Sequence, residues 1–175
     1  MAVHARLFNR EKALEAILFI AQKLRQPTMH SIAKMLYLAD KMHLQEYGRL
    51  ICGDRYIAME YGPVPSAIYD MMKVPAGRCM IDPDADGIIV EAFGITHGRN
   101  VVPKREPDTS LLAESEIACI EETFREHGGK SFGQLTDLTH DAAWDSTDEN
   151  QTITLSAIVR TLPNADELIA YLEAR

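Results

Sequence analysis

The sequence predicts an α+β domain: a predominantly α-helical, multi-helix domain with a small inserted antiparallel β-sheet. Three observations carry this expectation. Apolar residues recur at three- and four-residue steps toward both ends of the chain, the signature of amphipathic helices. Between them lie short segments rich in β-branched and aromatic residues, bounded by turn signals. No repeat, low-complexity tract or flexible linker divides the 175 residues, and 46% of them are hydrophobic, so one sizeable core and a single domain over residues 1–175 are expected.

The elements follow in order. Residues 11–24 place Leu14, Ile17, Leu18, Ala21 and Leu24 on one helical stripe, which Gln26-Pro27-Thr28 ends. Thr28 suits the N-cap of a second helix that buries Ile32, Met35, Leu36 and Ala39 and runs to Tyr47, with Gly48 as its stop. After the turn Cys52-Gly53-Asp54, the alternation over residues 55–60 predicts a short strand, and residues 66–73 a helix. The cluster at 82–87 reads as a turn, residues 88–93 as a strand, and the stretch near Val101 as its return, closed by Pro103. Residues 111–127 form a helix stopped by His127-Gly128-Gly129, and residues 131–138, 154–161 and 164–173 form further helices.

Charge and cysteine usage narrow the function classes. With 26 acidic against 18 basic residues the formal charge is −8, the wrong sign for affinity drawn from duplex phosphates, which disfavours a nucleic-acid partner. Cys52, Cys79 and Cys119 are odd in number and widely spaced, a pattern that suits a reducing cytoplasm. The apolar run at 16–21 is too short to span a bilayer, so no membrane association is expected.

The sequence has no phosphate-cradling glycine motif, nucleophile elbow or His-Glu-x-x-His signature, and the expectation is a non-enzyme without metal or cofactor. Asp40 and His43, three apart on a helix, could share one metal or proton-transfer site, and a metal-dependent enzyme centred there is one alternative. With no third ligand in view, the favoured reading has Asp40 fixing backbone or hydroxyl groups and His43 half-exposed. His140, Asp141 and Trp144 form a second cluster, but adjacent helical residues do not face each other, and Trp144 reads as a core or groove anchor. The acidic tract at 145–150 reads as a solvated loop. A second alternative is a DNA-binding regulator built on the first two helices, with Lys34, Lys41 and Arg49 for phosphate contacts; the apolar residues at 35–38 argue for burial instead.

The corner Tyr61-Gly62-Pro63-Val64-Pro65 has a local explanation: Gly62 permits a turn, the prolines hold an extended joint, and Pro65 suits the first turn of a helix. Together with its neighbours it also carries a resemblance. The core at 34–40, with Lys34, Tyr37 and Asp40, precedes His43, Tyr47-Gly48, Gly53-Asp54 and Tyr61-Gly62-Pro63-Val64 ahead of Tyr69. These elements resemble the Panacea domain of the SocA-like antitoxins and phage-associated proteins, and Leu138-Thr139-His140 with Trp144 is similar to that family's closing motif.

The resemblance implies a binding protein of the bacterial cytoplasm. Members neutralise unrelated toxins encoded beside them, and one is an adaptor that delivers its toxin to a ClpXP-type protease. The expected partners are therefore a cognate protein toxin and, for an adaptor, such a protease. Tyr61, Tyr69 and Tyr47 would be amphipathic anchors for the toxin, and the acidic excess would steer a basic toxin. The alternative is that each tyrosine caps the core, which is the favoured reading for any one of them alone.

Overall fold

The computed structural model describes residues 7–174. Helix α1 (Arg10–Lys23) starts where the Asn9 side chain accepts from Lys12 N at 3.0 Å, and α2 (Met29–Tyr47) where the Thr28 hydroxyl accepts from Ser31 N at 3.0 Å. Gly48, at φ 68°, ends α2 in the left-handed conformation that glycine adopts without strain. Both helices thus begin, and α2 ends, where local chemistry places them.

Strands β1 (Tyr56–Met59) and β2 (Gly62–Pro65) form an antiparallel hairpin, pairing Tyr56 with Pro65 and Met59 with Gly62. The far edge of β1 pairs with β5 (Thr152–Ile153), giving the order β2-β1-β5. The extended joint expected of the two prolines is thus a strand, and β2 tolerates them because it is an edge. Pro65 is the N-cap of α3 (Ser66–Lys73), one residue before the first-turn position expected for it.

The segment 82–93 corrects the sequence reading. It forms helix α4 (Pro83–Ala92), not a turn and a strand. Asp82 caps it by accepting from Ala85 N at 2.8 Å, Pro83 opens it, and Asp84 and Asp86 complement the positive end of its dipole. Ala85, Ile89 and Ala92 are buried while Ile88 and Val90 face out, a helical stripe hidden within an Ile-Ile-Val run. A strand starts only at β3 (Phe93–Thr96), which pairs with β4 (Asn100–Pro103) in a sheet of its own. The return strand at Val101 is present as expected.

Helices α5 (Glu114–His127), α6 (Phe132–Thr139), α7 (Ala142–Asp145), α8 (Leu155–Val159) and α9 (Ala165–Glu173) complete the chain. The fold is α+β and predominantly helical, and no described helix is long and apolar enough to cross a membrane. Helix α2 is its central rod. Ile32, Met35, Leu36 and Ala39 enter one core with α1 and α3, while Tyr37 and Leu44 enter a second with Tyr56, Ile153, Val159 and Leu168. A helix apolar on so many sides is buried by its neighbours.

Candidate functional site

Several residues singled out in the sequence fix the frame of the molecule. The carboxylate of Asp40 accepts from Ile51 N at 2.6 Å and from the Tyr56 hydroxyl at 2.7 Å, tying α2 to the loop and strand that follow. Burial raises its pKa to about 7. Gly53, at φ 73°, turns the chain so that Asp54 accepts from Arg55 N, Ala67 N and Ile68 N, joining β1 to the start of α3. Burial raises the Asp54 pKa as well.

His43 is fully buried, not half-exposed. Since a carbonyl only accepts, His43 Nδ1 carries the proton given to Arg49 O at 2.8 Å, and the neutral Nε2 accepts from the Ser115 hydroxyl at 3.1 Å. Burial lowers its pKa and favours this neutral form. Both ring nitrogens are engaged, and no group of three His, Cys, Asp or Glu able to hold a metal occurs among the described residues. Asp40 and His43 therefore serve separate hydrogen-bond networks.

A second group converges on the turn between β1 and β2. Lys34 is buried, and its Nζ donates to the carbonyl of Tyr61 and, at 3.3 Å, to Thr139 Oγ1. Burial lowers its pKa to about 8, which leaves it mainly protonated at neutral pH. Trp144 Nε1 donates to Met59 O at 2.9 Å, and the His140 ring stacks on the Trp144 ring at 3.7 Å with an interplanar angle of 2°. Gly62, at φ 114°, lies against this grip: a β-carbon there would stand 2.8 Å from Lys34 Nζ and 2.9 Å from Thr139 Oγ1. Pro63 follows it in the buried strand.

Asp141 serves Tyr37, Lys41 and α7 rather than His140. Its Oδ2 accepts from the Tyr37 hydroxyl at 2.9 Å and from Lys41 Nζ at 2.7 Å, while Oδ1 accepts from the backbone of Ala143 and Trp144. Lys34 and Lys41 are thus engaged inside the fold, as is Arg49, paired with Glu116 at 2.5 Å. All three cations that the DNA-binding reading assigns to phosphates have internal partners.

What this frame presents is a cluster of rings. His30 stands between Tyr61, Tyr69 and Phe132, with centroid distances of 6.1, 5.5 and 6.3 Å and edge-to-face angles of 82°, 75° and 79°. Burial and the Lys34 charge lower the His30 pKa. Tyr61 is 49% exposed and Phe132 45%, whereas Tyr69 also packs on the core. The rings border a groove of about 1030 Å³ between the start of α2, the β3–β4 turn and the start of α6. Tyr47 lies apart, against His43 and 17 residues beyond His30, roughly 25 Å along α2.

Of the expected anchors, Tyr61 and Tyr69 meet at this face and Tyr47 does not. Sequence reasoning missed His30 and Phe132. Their only signal is position: His30 lies one helical turn before Lys34, and Phe132 directly follows the cap Ser131.

The family model described as "Antitoxin SocA-like, Panacea domain" matches residues 32–145, more than half of the chain. Neither a curated protein nor a solved structure matches it.

Proposed function

Because the chain belongs to the family of SocA-like antitoxins with the Panacea domain, we propose that it neutralises a cognate protein toxin by direct binding at the His30–Tyr61–Tyr69–Phe132 face. Membership gives the antitoxin-like role and a toxin partner in general terms. The location is the new element. One observation carries it: two large rings are left half in solvent on fixed backbone, Tyr61 on a turn held by Lys34 and Trp144 and Phe132 at the start of α6. Rings presented by a rigid support lose little conformational freedom on binding, which is how a few aromatic side chains come to dominate an interface.

The reading requires binding and no catalysis. Asp40, Asp54, His43 and Glu116 are each committed to structural hydrogen bonds or ion pairs, which agrees with it. Sequestration is the simplest mechanism, since it needs only this face; delivery to a ClpXP-type protease would need a second, protease-facing surface.

Co-expression with the toxin encoded beside it provides the test. The wild-type chain should restore growth and co-purify with the toxin, and Tyr61→Ala with Phe132→Ala should abolish both while circular dichroism and Tm stay near wild type. Hot-spot truncations cost about 2 kcal/mol or more, so affinity should fall at least roughly thirtyfold. A double variant that still rescues growth would move the toxin elsewhere on the molecule. Toxin levels that fall only when a ClpXP-type protease is present would replace sequestration by delivery.

A further inference from the structure

We propose that the groove takes an acidic segment of the partner, with an apolar side chain of that segment on the Tyr61 and Phe132 rings and its carboxylates on the surrounding cations. The proposal rests on the partner-binding reading above and adds the chemistry of what enters.

Charge is the ground for it. The chain carries 26 acidic residues against 18 basic ones, yet no Asp or Glu lines the groove, whereas Arg25, Arg78, Arg99 and Lys130 do. All four are exposed, and none forms an ion pair with a described acidic side chain. Elsewhere on the surface, Arg10, Lys23, Arg105 and Arg125 each pair with an acidic side chain, and the described exposed cations that do not, Arg55, Lys104 and Arg160, do not line the groove. Cations left together without counter-charges repel one another, and an anionic occupant removes that repulsion.

The placement of these cations is built. Arg78 donates to Gly98 O at 2.6 Å, which holds its guanidinium against the β3–β4 turn beside Arg99. The same Nη2 also faces Met29 Sδ at 3.8 Å, which leaves the Nη1 and Nε N–H groups as the donors for a carboxylate. Lys34 adds positive charge from beneath, with Nζ 5.4 Å from the centre of the Phe132 ring. Helices α2 and α6 both begin at the groove, so their dipoles contribute the same sign.

A peptide fits this pattern better than a nucleic acid. Four peripheral cations around an apolar cluster balance a few carboxylates beside one hydrophobic side chain, but a phosphate backbone calls for a continuous basic track and would run beyond the groove onto the surface of a molecule of net charge −8. Within the groove the local cations act over about one Debye length, so the distant acidic residues are largely screened.

Fluorescence polarisation tests this with a short labelled peptide of Glu and Asp around a Leu-Tyr pair, the same peptide with Lys at every acidic position, and labelled oligothymidylate. The acidic peptide should bind at least about tenfold more tightly than the other two. Both Arg78→Glu with Arg99→Glu and Arg25→Glu with Lys130→Glu should remove that preference. The second pair breaks no contact to the β3–β4 turn and only the exposed Lys130–Glu126 O contact, so it reads charge without disturbing the turn. Equal or tighter binding of the Lys peptide, tighter binding of oligothymidylate, no binding of the acidic peptide, or a preference untouched by either reversal overturns the proposal. Charge-reversed chains that still neutralise the toxin, while Tyr61→Ala with Phe132→Ala fails to, would sink the acidic segment and leave toxin binding standing. Absence of toxin rescue by the wild-type chain would instead remove the antitoxin reading, whatever the peptides do.

Discussion

Gly62 and Lys34 share a space with no room for another atom. Alanine at 62 would bring a β-carbon to 2.8 Å from Lys34 Nζ at a φ of 114°, so Gly62→Ala should lower stability by about 1–3 kcal/mol, read as a reduced urea midpoint at constant slope. Asp40 gives a pH signature. Its pKa is raised to about 7 in the fold, whereas an unfolded Asp titrates near 4, so between about pH 4 and 7 the folded state binds the extra proton. Its contribution is complete below that window and is lost as pH rises through it, by up to about 1.4 kcal/mol per pH unit. Urea titrations across this range should show the difference in unfolding free energy between the wild type and Asp40→Asn shrinking as pH rises. A difference that is flat or grows would show that Asp40 is ionised throughout. The need for glycine at 62 was legible from the sequence, because backbone freedom is a local property. The role of Lys34 was not: a lysine on a helix reads as a surface charge until the fold places the Tyr61 carbonyl above it.

At the scale of elements, the β1–β2 hairpin is the part that presents Tyr61 to the ring cluster. Trp144→Phe keeps most of the ring but removes the Nε1 donor to Met59 O, which should cost about 1 kcal/mol and speed hydrogen exchange at residues 57–64 ahead of the rest of the fold. Exchange rising evenly across the chain would mean that Trp144 supports the core rather than the turn. Helix α4 supplies a separate check: Asp82→Ala removes its cap and should cost about 1 kcal/mol in thermal or urea unfolding. Capped helices such as α2 were readable because Thr28 and Gly48 act within one turn of the helix ends. Helix α4 misled because Ile-Ile-Val favours strands by composition, while burial spaced from Ala85 to Ile89 to Ala92 decides for a helix. Strand β5 was unreadable, since two residues become a strand only by pairing with β1, almost a hundred positions earlier.

For the molecule as a whole, the family match and the folding unit have different limits. The match ends at residue 145, but the second core takes Ile153, Ile158, Val159, Leu162 and Leu168 from beyond it. Burial of these side chains is worth on the order of 10 kcal/mol, comparable to the whole stability of a domain. A chain truncated after Asp145 should therefore lose cooperative unfolding and bind a hydrophobic dye; a sharp transition would show that the first core stands alone. The family was legible because its motif residues are spaced along α2 and the hairpin. The groove was not, because it joins the β3–β4 turn and α6 through space. The grip on the hairpin also bears on how such a protein changes over generations. Lys34 and Trp144 hold the turn by the carbonyls of Tyr61 and Met59, atoms that every amino acid supplies. The side chain at position 61 can thus be exchanged without releasing the grip, so mutation would retarget the proposed surface toward a new antagonist while the fold beneath is inherited unchanged.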